Sequence, residues 1–304
     1  MTSSETTVEA RPVLLATDLS SRCDRAFERA CALAAARGVT LHVVTAVEGD
    51  FHQPSWRSSE RQALAKMRAD VTEALGSRSL SWEPVVAPGR SREVIVETAR
   101  RIGAGLIVVG VARNELLGRA SPGKTVETLI REAPAPVLVV RRRSVIAYRQ
   151  VLLPTDYSQA AELALIRAAA MFPEAQFILL HGYRVPFAGF LDEGTDQPEF
   201  KALALEEQSD FISRVEAATG QRGRFVGLVE YGGSEELVVD FVGSNPADLV
   251  VIGAHDQGGI LGALSVDVAG RLLMAVRCDV LVVPESAAES SAPRGRKARD
   301  AAAR

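Results

Sequence analysis

Short aliphatic runs recur along the chain, each separated from the next by a stretch whose apolar residues return at helical intervals. In the first half the runs fall near positions 13–17, 40–46, 82–86, 106–110 and 137–141. Continuous Val, Leu and Ile, with no polar alternation, suit strands covered on both faces, as in a parallel sheet. Between the strands, Val94, Ile95, Thr98, Ala99 and Ile102 draw one apolar helical stripe. Leu237, Val238, Phe241 and Val242 draw the same stripe in the second half. Ser91 and Ser234 stand at the expected N-cap positions of these helices, with Glu93, Glu235 and Glu236 in the positive first turn.

The two halves are copies of one plan. Val13-Leu14-Leu15-Ala16-Thr17-Asp18-Leu19-Ser20 returns as Val151-Leu152-Leu153-Pro154-Thr155-Asp156-Tyr157-Ser158. Leu106–Gly110 returns as Leu249–Gly253, and Val137–Val140 as Val280–Val283. A longer segment around Phe187 to Pro198 distinguishes the second copy. Five β units joined by right-handed crossovers predict an α/β fold, with a doubly wound five-stranded parallel-sheet sandwich in each half. The organisation read from the sequence is a flexible N-terminus over 1–10, repeats over 11–145 and 146–285, and a disordered tail over 286–304, which is rich in Ala, Ser and charge. The join, Arg141 to Arg149, is short and basic and is expected to be a solvated connector. The last strand of each open sheet is an aliphatic edge, so pairing of Val137–Val140 with Val280–Val283 within the chain is expected. A homodimer through the same strands is the alternative.

Composition narrows the function. The 304 residues carry 35 Lys+Arg against 38 Asp+Glu, a net charge of -3, so no global positive field favours nucleic acid or anionic membrane. No apolar run approaches the ~18–20 residues of a bilayer span. The polar start, with Glu5 and Glu9, lacks the character of a signal peptide, and a cytoplasmic location is expected. Cys23, Cys31 and Cys278 lack metal-ligand or disulfide spacing. Cys23 and Cys31 fall on one predicted helix as core thiols.

In an open α/β sheet, ligands bind beyond the carboxyl ends of the strands, where the strand order switches. In the first copy those ends are Ala16-Thr17-Asp18, the stretch at His42-Val43, Gly110-Val111 and the loop leading to Thr125. Asp18 can accept hydrogen bonds from a base or sugar, or simply cap the helix that follows. Gly118 to Thr125 matches G-x-x-x-x-G-K-T, the phosphate-binding P-loop pattern. However, a working P-loop follows its strand at once, whereas Gly118 lies eight positions beyond Gly110. Pro122 also removes one N–H from the cradle. Gly123-Lys124-Thr125 still opens a predicted helix, whose free N–H groups and dipole suit an anion. His42, His181 and His255 have no Ser/Asp partner or metal spacing and read as packing or loop residues.

The Ala-Thr-Asp-x-Ser opening, the Val-Val-Gly before a long loop and the closing Ala-Pro-x-Pro-Val-Leu-Val-Val resemble the universal stress proteins. The resemblance covers each repeat nearly end to end, about 13–141 and 150–284. It implies adenine nucleotide α-hydrolase-like domains and a stress-response role. Nucleotide-binding members carry Gly-x2-Gly-x9-Gly-Ser/Thr after the fourth strand, which falls here on Gly110, Arg113, Gly123 and Lys124, followed by Thr125. In the second repeat the same spacing gives Gly253, Asp256, Val266 and Asp267. Acids at phosphate positions repel a triphosphate, so ATP, with Mg2+ only alongside it, is expected in the first repeat alone. Ala16, Thr17, Asp18 and the backbone near Val43 would hold the nucleoside, and Gly110, Val111, Arg113, Gly123, Lys124 and Thr125 the phosphates. Three functions stay open. One is a non-enzymatic stress-response module that binds nucleotide. Another is a weak ATPase or phosphotransferase using Gly118–Thr125, and the third is a structural interaction module without ligand.

Overall fold

The computed structural model describes residues 11–47, 55–76, 79–111, 123–143, 147–184, 198–254 and 266–284. The first repeat runs β1 (Val13–Ala16), α1 (Asp24–Arg37), β2 (Leu41–Val47), α2 (Ser55–Leu75), β3 (Trp82–Pro88), α3 (Ser91–Ile102), β4 (Leu106–Gly110), α4 (Lys124–Glu132) and β5 (Val137–Val140). The second runs β6 (Gln150–Pro154), α5 (Gln159–Met171), β7 (Gln176–Tyr183), α6 (Pro198–Thr219), β8 (Phe225–Tyr231), α7 (Ser234–Ser244), β9 (Leu249–Ala254), α8 (Val266–Ala275) and β10 (Asp279–Pro284).

All ten strands lie in one sheet, ordered β3-β2-β1-β4-β5-β10-β9-β6-β7-β8. Within each repeat every pairing is parallel, the doubly wound order expected from the aliphatic runs. At the centre, β5 and β10 meet antiparallel, with Leu138 opposite Leu281 and Val139 opposite Val280.

Strand alternation sorts the core into two layers. Val13 and Leu15 face α1 and α2 through Ala26, Ala30, Met67 and Val71, and Leu153 continues that layer to Leu165 and Phe211. Leu14 and Ala16 face the opposite layer, built from Ile95, Leu129, Val238 and Leu272 on α3, α4, α7 and α8. The inner strands are therefore largely buried on both sides, whereas the edge strands β3 and β8 are partly exposed. The expected aliphatic composition follows from that burial.

Three local expectations need correction. Ser91 and Ser234 are the first helical residues rather than caps, and neither helix has a side-chain cap. The reason is that Val94 N–H already donates to Arg90 C=O at 3.1 Å, and Leu237 N–H to Gly233 C=O at 3.0 Å. Cys23 closes a single 3-10 turn, Ser21–Cys23, so only Cys31 lies on α1. The join is only partly a solvated connector: Arg142, Arg143, Ala147 and Arg149 are exposed, but Tyr148 is buried and the backbone at Arg141 and Arg142 is pinned. Asp279, fully buried at the start of β10, accepts from the backbone N–H of Arg141 and Arg142 at 2.7 and 2.9 Å. A buried carboxylate needs several donors, and the join supplies them. Segments 1–10 and 286–304 lie outside the described residues.

Candidate functional site

The same strained turn follows the first strand of each repeat. Thr17 Oγ1 accepts Leu19 N–H, and Thr155 Oγ1 accepts Tyr157 N–H, both at 2.9 Å. Asp18 Oδ1 accepts Ser20 N–H at 2.9 Å, and Asp156 Oδ1 accepts Ser158 N–H at 3.0 Å. The residue between, Leu19 or Tyr157, is left-handed, with φ of 58° and 62°. Left-handed non-glycine residues are uncommon, and paired side-chain acceptors hold them there.

Beyond this turn in the first repeat lies a cleft of about 390 Å³. That is within the ~300–1,000 Å³ of small-ligand sites. It sits at the carboxyl ends of β1 and β4, where the strand order reverses. Val44, Ala46, Ile95 and Val109 give it apolar lining, and Thr17, Asp18, Arg22, Cys23 and Lys124 supply polar groups. Gly123 precedes α4 with φ of 91°, a conformation that favours glycine. Behind it the first-turn N–H groups of α4 have no helical acceptor, so that end of the cleft is positive.

Asp18 is the most connected polar group here. Its Oδ1 also accepts from Ser20 Oγ at 2.5 Å and from Cys23 Sγ at 3.2 Å, while Arg22 Nη2 lies 3.6 Å from Oδ2. Burial alone would raise this carboxyl, but the Ser20 and Cys23 hydrogen bonds and Arg22 outweigh it and hold Asp18 below its ordinary 3.8. Burial pushes the Cys23 thiol up from 9.0, so at neutral pH it is a protonated donor.

Of the residues singled out in the sequence, Ala16, Thr17, Asp18, Gly110, Val111, Gly123, Lys124 and Thr125 line this one cleft. Val43 does not. It is fully buried on the opposite face of β2, and Val44 and Ala46 take its place. A one-residue step along a strand reverses the side chain, so strand parity decides which residue faces the ligand. Arg113 and the Gly118–Pro122 part of the P-loop-like pattern lie outside the described residues, as do Asp256 and His255. His42 is not in the cleft; its Nδ1 lies 3.5 Å from Glu83 on the neighbouring strand. Arg22, Ser91, Cys23 and Ile95 were missed; Arg22, four positions after Asp18, carried the one readable signal.

The second repeat carries a different cleft, about 920 Å³, which includes Thr155 and Asp156 but extends towards β7, β8 and α6. A Cβ on Gly253 would come within 2.6 Å of Ala160 C=O, so β9 closes tightly on α5 there. The matching Gly110 has its nearest such neighbour at 3.6 Å and borders the first cleft. His181 stacks on Tyr157 at 4.4 Å, and its Nδ1 donates to Thr155 C=O at 2.8 Å.

Comparison with known proteins agrees with the fold. A universal stress protein of Mycobacterium tuberculosis (strain H37Rv) is 27% identical over 280 residues, covering 83% of this chain and 90% of that protein. One from Thermus aquaticus is 32% identical over 135 residues, covering 43% of this chain and 98% of that protein. A functionally unknown protein from Pseudomonas aeruginosa superimposes with a TM-score of 0.62 at 18% identity, covering 92% of this chain and 94% of that one. A universal stress protein from Archaeoglobus fulgidus does so at 0.61 and 14% identity, covering 90% and 96%. The universal stress protein family model matches residues 9–141 and again 147–284, and this chain, with its two repeats, is a tandem member of that family.

Proposed function

We propose that this protein is a non-enzymatic stress-response module of the cytoplasm whose first repeat binds ATP or a related nucleotide, one per chain. The observation that carries the reading is the meeting of Asp18, Gly110 and Gly123-Lys124-Thr125 in one cleft at the switch point. The cleft fits such a ligand in kind. Its apolar lining on β2 and α3 suits a base, and the N–H groups of α4 with Lys124 suit phosphate oxygens. Mg2+ would arrive with the nucleotide and offset phosphate charge. Asp18 Oδ1 is committed to its own turn, which leaves Oδ2, beside Arg22, for the ligand.

The repeats are proposed to remain paired within one chain. Each of β5 and β10 satisfies the other's edge, so a homodimer through those strands would have no open edge to use. Among the described residues no helix is long and apolar enough to cross a membrane.

Native mass spectrometry of freshly purified protein tests the reading. A co-purifying nucleotide, absent from Lys124→Ala, supports it. Turnover of labelled ATP that disappears in the same variant would favour the ATPase alternative instead.

A further inference from the structure

The sheet ends on one side at β3 and on the other at β8, the same element of each repeat. Leu41 N–H donates to Ser81 C=O at 2.9 Å, and Gly89 N–H to Val47 C=O at 3.3 Å. With the parallel register, these bonds turn the odd-numbered residues of β3 inward and leave Trp82, Pro84, Val86 and Pro88 facing outward. Two of those four are prolines, which have no N–H to offer an incoming strand. At the other edge, Phe177 N–H donates to Arg224 C=O at 2.8 Å, and Gly232 N–H to Tyr183 C=O at 3.1 Å. The outward residues of β8 are therefore Phe225, Gly227, Val229 and Tyr231. None is proline, and among the described residues no strand pairs with that side. Counted back from Gly232, the counterpart of Gly89, Tyr231 and Gly227 stand where the first repeat has Pro88 and Pro84. One edge of the sheet is guarded and the other is open.

The open edge is complementary to itself. If two copies of β8 run antiparallel about a two-fold axis at Leu228, Phe225 faces Tyr231, Gly227 faces Val229 and Val226 faces Glu230 of the other copy. All four outward residues then fall in hydrogen-bonded pairs, and Leu228 meets its own counterpart. The antiparallel direction also brings the basic start of β8, with exposed Arg222, towards the acidic end of the other copy, with exposed Glu230 and Glu236. Over this axis, Gln208 of α6 donates to Leu228 C=O at 3.4 Å, and Glu216 accepts Gly223 N–H at 3.0 Å. Arg214 reaches Glu162 of α5, so Leu205, Ser209, Ile212 and Glu216 form the flank of α6 on the β8 side. Leu205 is 48% exposed. The same axis sets it against Ile212 of the other copy.

We propose that this protein forms a two-fold dimer through β8, its partner being a second copy of the chain. The sheet then runs unbroken through both copies. The prolines of β3 guard its far ends, so assembly closes at two chains.

Sedimentation equilibrium of the full chain at micromolar concentration should give twice the chain mass. Tyr231→Pro, which copies Pro88 of the first repeat, should give monomer. Val226→Glu, at a position 53% exposed, keeps the test open should the proline variant fail to fold. It sets an acid opposite Glu230 twice per dimer and should weaken association about tenfold, whereas Val226→Lys should not weaken it. With Cys23, Cys31 and Cys278 replaced by alanine, oxidised Leu228→Cys should link two chains. A monomer throughout the micromolar range would overturn the proposal and leave the edge to a strand of another protein. A dimer that survives both Tyr231→Pro and Val226→Glu, or equal loss in Val226→Lys and Val226→Glu, would overturn it as well.

Discussion

The hydroxyl of Tyr148, in the join between repeats, donates to Oδ2 of Asp279 at 2.6 Å, across 131 positions of sequence. Arg29 of α1 approaches the same oxygen at 3.5 Å and lies over the Tyr148 ring, 4.3 Å from its centroid. Tyr148 also meets Phe172 edge-on at 5.0 Å. One buried carboxylate thus ties together the first helix of one repeat, the join and the last strand of the other. Removing it would strand buried donors and a cation, which typically costs about 3–5 kcal/mol. Asp279→Ala is expected to lose that much in urea unfolding. Tyr148→Phe keeps the ring and loses one charged hydrogen bond, about 1.5–3 kcal/mol. Equal stability of Asp279→Ala and the parent would contradict the account.

Alkaline pH should weaken the fold through the same region. Burial pushes the Cys278 thiol, next to Asp279, from its ordinary 9.0 up to about 11. Burial, and then the Asp279 charge, also drive Tyr148 well above its ordinary 10.0. Both groups hold their protons more tightly folded than unfolded. Their contribution is therefore complete below the unfolded values and is lost as pH rises through the folded ones. Unfolding free energy should fall from pH 9 upward, and Cys278→Ala should flatten the part of that fall between 9 and about 11. A pH–stability curve of unchanged slope in that variant would show that the thiol is not the source.

The pairing of β5 with β10 predicts an intrachain crosslink. With Cys23, Cys31 and Cys278 replaced by alanine, cysteines at Leu138 and Leu281 stand opposite one another. Oxidised at a dilution where the protein is monomeric, they should give a monomer of altered mobility on a non-reducing gel. Links found only between chains would assign these strands to a homodimer.

Much of this was legible in the residues. The duplicated Thr-Asp-x-Ser turn, the aliphatic strands and the Gly123-Lys124-Thr125 helix opening are local patterns, set by backbone geometry and burial within a few positions. The sequence pointed to the backbone near Val43, but that Val44 and Ala46 turn their side chains to the cleft depends on which layer each face of β2 meets, a tertiary fact. The roles of Asp279 and Tyr148 stayed hidden because their partners lie more than a hundred positions away. An aspartate opening a fully buried aliphatic strand was the one available hint. The widening of the second cleft depends on Phe200 and Glu207 of α6, which nothing local marks as site residues.

Cys23 offers a chemical readout of the first cleft. Its raised thiol, bonded to Asp18, should react slowly with iodoacetamide at pH 8, and bound nucleotide should slow it further. Mass-spectrometric rates with and without ATP check this; equal rates would place the nucleotide elsewhere.

Isothermal titration with ATP tests the central claim most directly. Lys124 and the start of α4 favour phosphate in the first repeat, while the second cleft places Glu207, Glu235 and Glu236 beside Asp156 and closes tightly at Gly253. Charges ~4 Å apart at an effective dielectric of ~20 interact by about 4 kcal/mol before screening, enough to separate the two sites clearly. The account predicts one ATP per chain, binding weakened about tenfold or more in Asp18→Ala and Lys124→Ala, and no change in Asp156→Ala. Two ATP per chain, or binding lost only in Asp156→Ala, would contradict it.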